Sequence, residues 1–140
     1  MGYCSFDGVV HEFTPTLRLN MERDYGEAFE EIIEKHIEKA HDFVNASLAR
    51  AYSVPLKQAS NVVISAECKI AAYFSAIAYS EKDEVVRDKY ETALMMLNNL
   101  VQADNPALVD DGLSATDIAS LGVLYRSEDR FYSQDELAKW

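Results

Sequence analysis

The chain has little of what a loop-rich or cross-linked protein needs: five glycines, three prolines and two cysteines in 140 residues. So few turn formers leave small room for an all-β design, and a helical domain is expected instead. Cys4 and Cys68 stand far apart, with no CxxC spacing and no further cysteine. Neither a disulfide framework nor a zinc site is expected from them, and they read as two reduced thiols of a cytosolic protein. Basic residues are scarce too: 13 Lys and Arg face 24 Asp and Glu, for a formal net charge of -11 and a pI near 4.6. Affinity for nucleic acid comes mostly from Lys and Arg neutralising phosphates, so DNA could pass such a surface without being held.

The motifs of small-ligand chemistry are missing as well. There is no GxGxxG, P-loop, GxSxG or HExxH, and each of those chemistries needs its spacing. The opening MGYCSFDGVV has no basic segment followed by a sustained apolar one, so no signal peptide is expected. Residues 62–79 form the longest apolar-rich run, but Ser65, Glu67, Lys69 and Ser75 interrupt it, which favours a buried helix over a membrane span. A soluble protein with no membrane contact and no cofactor is the expectation. One pair remains chemically suggestive: Glu38 and His41 form an ExxH spacing, which on a helix puts carboxylate and imidazole on one face, as in di-metal bundles. Such a site needs a second ExxH and two more glutamates. The central helix offers only Glu67, and Glu91 lacks its histidine.

What is present is helical periodicity. A short helix is expected around Asp7 to Phe13, terminated by Thr14 and Pro15. From about Gly26 to Tyr52, the positions Phe29, Ile32, Ile33, Ile37, Ala40, Phe43, Val44, Leu48 and Ala51 recur at steps of three and four. That spacing predicts a long amphipathic helix with a charged, solvated outer face. Ser60 can cap a second helix over Val62 to Tyr79, apolar on nearly all sides and therefore central; its many alanines would admit neighbours closely. A third begins near Ser80 or Asp83, carries Val86, Tyr90, Ala93, Leu94, Leu97, Leu100 and Val101 at helical spacing, and ends at Asn105 and Pro106. The predicted architecture is an all-α bundle of three main helices plus a short N-terminal one. Residues 1–106 form the helical domain, and residues 107–140 form an extended C-terminal arm. The arm lacks periodicity yet holds Leu124, Tyr125, Phe131, Tyr132, Leu137 and Trp140, too many large apolar groups to stay free in water.

The order of residues says more than their periodicity. FVNASLARAYSVPL, then IAAYFSAIAYSEKDEVVRDKYETALMMLNNL, and finally EDRFYSQDELAKW resemble the head-tail connector family of tailed phages and Mu-like prophages, also called adaptor or neck proteins. In that family a first long helix ends in a Leu, a Tyr and a Pro-Leu pair, matched by Leu48, Tyr52, Pro55 and Leu56. The next helix carries Ile-Ala-x-Tyr, matched by Ile70, Ala71 and Tyr73. The following one carries Glu-x-x-Arg-x-x-Tyr-x-x-Ala-Leu-x-x-Leu, matched by Glu84, Arg87, Tyr90, Ala93, Leu94 and Leu97. An aromatic-Ser-Arg-Asp-x-Leu ending is matched by Tyr132, Ser133, Asp135 and Leu137, with Gln134 in place of the arginine and Trp140 as the last aromatic.

The resemblance implies a non-enzymatic virion protein of the neck. It would assemble as a ring, typically of twelve copies, beneath the portal protein, extend the DNA channel, and dock the tail or a further neck protein. It also implies portal contact through the arm, where Tyr125, Arg126, Arg130, Phe131, Tyr132, Leu137 and Trp140 have the makings of interface anchors. Two other readings stand beside it: a helical adaptor that binds a cellular partner through residues 121–140, and a metal-dependent bundle enzyme built on Glu38 and His41.

Overall fold

The computed structural model describes residues 2–79 and 83–112. Among them the chain is all-α: α1 (Phe6–Val10), α2 (Pro15–Tyr25), α3 (Phe29–Leu48), α4 (Asn61–Ala78) and α5 (Glu84–Ala103), with 3-10 turns at Gly26–Ala28 and Pro106–Leu108. The three long helices follow the predicted spacing. Phe29, Ile33, Ile37, Ala40, Val44 and Leu48 give α3 one buried stripe, and Val86, Ala93, Leu97 and Leu100 do the same for α5. Between them lies α4, with α1 laid across it. Ala66, Ala71, Ala72 and Ala76 are buried on α4, whereas Ala78 faces outward. By length and composition α4 could cross a membrane; half of it is enclosed by the other helices.

α2 departs from expectation. Pro15, read as a stop, occupies the first turn of this helix, where its missing N–H costs nothing. The spacing concealed it: Leu17, Leu19 and Met21 lie two apart, and Leu19 points outward, 65% exposed, while Leu17 and Met21 enter the core. Gly26, with φ 58, ends α2, so the long helix expected from Gly26 starts instead at Phe29. It also ends earlier than Tyr52, at Leu48, and Ala49 to Ala51 turn out of it.

Polar side chains fix the joins. Ser5 caps α1, and Ser60 caps α4 as expected. The Asp83 carboxylate does two jobs: Oδ1 accepts the N–H groups of Val85 and Val86 at the start of α5, and Oδ2 accepts the Thr14 hydroxyl at 2.6 Å. Glu12, after α1, is held by Lys89 of α5 at 3.2 Å and Lys69 of α4 at 3.6 Å. Partly exposed charge pairs of this kind are weakened by solvent and salt, and orient the packing more than they stabilise it.

The deepest polar group is Glu67, fully buried on α4. Its Oε2 accepts the Cys4 N–H at 2.9 Å, and its Oε1 lies 3.1 Å from Nδ1 of His41 on α3. Nε2 of His41 is 3.2 Å from Nδ2 of Asn45, whose Oδ1 accepts the Tyr3 hydroxyl at 2.6 Å. Tyr3 in turn accepts the Leu56 N–H at 2.8 Å. A proton on Nδ1 of His41 lets every donor in this chain meet an acceptor. The Tyr3 ring also meets the His41 ring edge to face, centroids 4.4 Å apart. His41 therefore turns to Glu67 and away from Glu38, which is exposed.

Removing the Glu67 carboxylate strands two buried donors, so Glu67→Ala is expected to lower unfolding stability by about 3 kcal/mol in urea titration. Glu38→Ala, on the solvated face, should stay within about 0.5 kcal/mol of the parent.

Candidate functional site

The signature residues Leu48, Tyr52, Pro55 and Leu56 lie at the corner that follows α3, which the end of α5 also reaches. Leu48, Ile70 and Ala71 are fully buried there or in the adjoining core. Tyr52 leaves α3 with its N–H on the Leu48 carbonyl at 2.8 Å. Its ring is buried; its hydroxyl donates to the Leu100 carbonyl and accepts the Asn105 N–H at 3.0 Å. The Leu100 carbonyl, near the end of α5, also accepts the Asp104 N–H at 3.2 Å, so Tyr52 adds a second donor there. Burial pushes the Tyr52 phenol above its ordinary value, so the donor stays protonated. Pro55 is exposed behind a cis peptide, and Leu56 tucks in beside it.

The corner also holds the root of the C-terminal segment. Asp110, 5% exposed, accepts the N–H groups of Lys57, Gln58 and Gly112 at 2.8, 2.9 and 2.8 Å. Around it, the Ser60 N–H reaches Val109 O at 2.9 Å, the Ser60 hydroxyl reaches Leu108 O at 2.7 Å, and the Asp111 N–H reaches Gln58 O at 2.7 Å. Ala59 and Asp110 form an isolated antiparallel bridge. Burial pushes the Asp110 carboxyl up, but the donors from Gln58, Lys57 and Gly112 outweigh it and hold it below its ordinary value. Gly112 fits because it lacks a Cβ: one built there would come within 2.8 Å of the Lys57 Cβ and 3.0 Å of the Gln58 nitrogen. The tie thus holds residues 108–112 against the segment that leads into α4, just after the division expected at residue 106.

Outward from the corner, α4 and α5 present an aromatic ridge. Tyr73 and Tyr90 stack at 4.0 Å with planes 12° apart, and Phe74 leans on both and on Phe43 of α3. Leu94 is half-buried, and Arg87 is exposed with Glu91 at 3.5 Å. Ile77, Val85 and Met95 are each at least half exposed on the same two helices. The outer face of α3 is acidic, with Glu30, Glu31, Glu34, Glu38 and Asp42 all exposed. A shallow cavity of about 390 Å³ opens between α1 and α2, lined by Val10, Phe13, Pro15 and Leu19 with Arg18 and Glu22.

These features suit contact between macromolecules. Among the described residues no cluster of three or more His, Cys, Asp or Glu is placed to hold a metal, and Glu38 and His41 do not converge. The expected portal-binding residues Tyr125, Arg126, Arg130, Phe131, Tyr132, Leu137 and Trp140 lie outside the described residues. Sequence reasoning missed the roles of Asp110, in a stretch without periodicity, and of Glu67, whose signal was an acid in a helix with only one other charge, Lys69.

Compared with known families, residues 3–114 match the family described as Bacteriophage Mu, Gp36. No curated protein matches the chain. The matched span takes in α1 and α2, which precede the stretches that carry the sequence resemblance, and reaches past the Asp110 tie.

Asp110→Asn should loosen the root by about 2 kcal/mol at pH 7, because one carboxylate holds three N–H groups. A depressed folded-state value means that the contribution is complete above about pH 4 and is lost as pH falls through that lower value. Urea titrations of parent and variant should therefore converge below pH 4. Gly112→Ala, at any pH, should speed amide exchange at Lys57 and Gln58.

Proposed function

We propose, from the premise that the chain belongs to the Bacteriophage Mu, Gp36 family, that it is a structural virion protein of the head-tail connector kind, forming a ring under the portal protein. The ring extends the DNA channel and docks the tail or the next neck protein. Family membership across residues 3–114 is the observation that carries this reading. Its place is the virion neck, and its work is assembly without catalysis.

Three physical features support it. The net charge of -11 keeps a moving duplex from adhering to the channel wall. Exposed apolar side chains on α4 and α5, together with the aromatic ridge, supply surface for neighbouring copies in a ring of about twelve. The Asp110 tie fixes the backbone up to Gly112 against the residues leading into α4, and the sequence after it carries Tyr125, Arg126, Arg130, Phe131, Tyr132, Leu137 and Trp140 as proposed portal anchors.

Complementation in the phage tests the proposal. A phage lacking the gene should yield DNA-filled heads and free tails, and the full chain should restore joined particles. A chain shortened to residues 1–112 should keep its helical circular dichroism but fail to join heads to tails. Normal joined particles without the gene would overturn the connector role. Full rescue by the shortened chain would overturn the arm's part in docking.

A further inference from the structure

Cys4 and Cys68, distant in sequence, are brought together in the fold. Both are buried, at 9% and 5% exposure, and neither is in a disulfide. The Cys4 N–H is fixed on the carboxylate of Glu67, the residue next to Cys68 on α4. The first turn of α1, which follows Cys4, rides on the same sulfur: a Cβ at Gly8 would stand 2.9 Å from the Cys68 Sγ. Each thiol perturbs the other's proton affinity, as side chains within reach of one another do.

We propose that Cys4 and Cys68 are a paired modification site that closes to an intramolecular disulfide in an oxidising medium and staples the N-terminal segment to α4. The co-reactant is a low-molecular-weight disulfide. Cys68 thiolate attacks one reagent sulfur, the reagent S–S bond breaks, and one reagent thiolate leaves. Cys4 thiolate then attacks the Cys68 sulfur of the mixed disulfide, forming the Cys4–Cys68 bond and expelling the second. Both cysteine protons pass to water or to the leaving thiolates; the protein loses two electrons and the reagent gains them. The Cys4 hydrogen bond lowers the Cys68 thiol below its ordinary value, while the Cys68 contact and burial push Cys4 up, so Cys68 attacks first. The reagent enters when the short segment before α1 opens. The timing rests on the connector reading: thiols stay reduced in the host cytoplasm and close once the virion is outside it.

The test uses the full chain, folded, with oxidised glutathione against a dithiothreitol control. Intact mass should fall by about two units through the loss of two hydrogens. Peptide mapping should link Cys4 to Cys68, and the melting temperature should rise by about 10 °C, reversibly on reduction. Cys4→Ala and Cys68→Ala should each abolish the link and leave only a glutathione adduct; should either fail to fold, the parent's linkage map decides alone. Stable glutathione adducts on the folded parent, disulfides between chains, or no reaction would each overturn the proposal. Neither portal nor tail enters the assay, so its outcome is independent of the connector reading.

Discussion

A carboxylate buried without solvent is the constraint around which the described fold is arranged. Glu67 sits at full burial on α4, and a charge or a polar group in such surroundings must be met by donors or the helix cannot stay there. The donors come from separate parts of the chain: the Cys4 N–H from the N-terminal segment and the His41 ring from α3. Each partner is then itself satisfied, through Asn45 and Tyr3, until the chain of bonds ends on the Leu56 N–H. One buried acid therefore joins the beginning of the chain, the two helices it lies between, and the corner that follows α3.

That corner is where structure turns toward function. Leu56 is held from one side by Tyr3, Tyr52 ties the exit of α3 to the end of α5, and Asp110 gathers Lys57, Gln58 and Gly112. These bonds are directional, where packing of apolar stripes alone would allow the helices to slide. The proposed docking role would benefit from such rigidity, because surfaces already in place lose less freedom on binding. The aromatic ridge of α4 and α5 and the acidic face of α3 are held at fixed positions by this frame.

Much of the bundle was legible in the sequence because α3 and α5 repeat their apolar positions at helical spacing over about five turns each, and α4 is apolar on nearly all sides. The capping serine of α4 was legible too, and Asp83 was one of two candidates, with Ser80, for the cap of α5. α2 could not, since Leu17 and Met21 contribute only two inward positions and the intervening Leu19 breaks the pattern. Contacts between residues far apart leave no periodic trace, so the meeting of His41 with Glu67, and of Cys4 with Cys68, was invisible; a local ExxH spacing pointed to Glu38 instead. Tyr52 and Pro55 were recognised as the end of a long helix, but the carbonyl that Tyr52 serves lies on another helix. Asp110 was hidden for the opposite reason: its partners are backbone N–H groups, which every sequence contains.

The most direct measure of whether the polar chain acts as one unit is a double-mutant cycle between its two ends. Tyr3→Phe removes the hydroxyl that receives Leu56, and Glu67→Gln alters the acceptor of Cys4 and His41 while keeping its shape. Unfolding free energies of the parent, both single variants and the double variant give the coupling directly. Cooperation along the chain predicts a coupling of about 1 kcal/mol, with the double variant less destabilised than the two singles combined. Additivity to within about 0.3 kcal/mol would contradict it, leaving Glu67 and the corner as independent features of the same core.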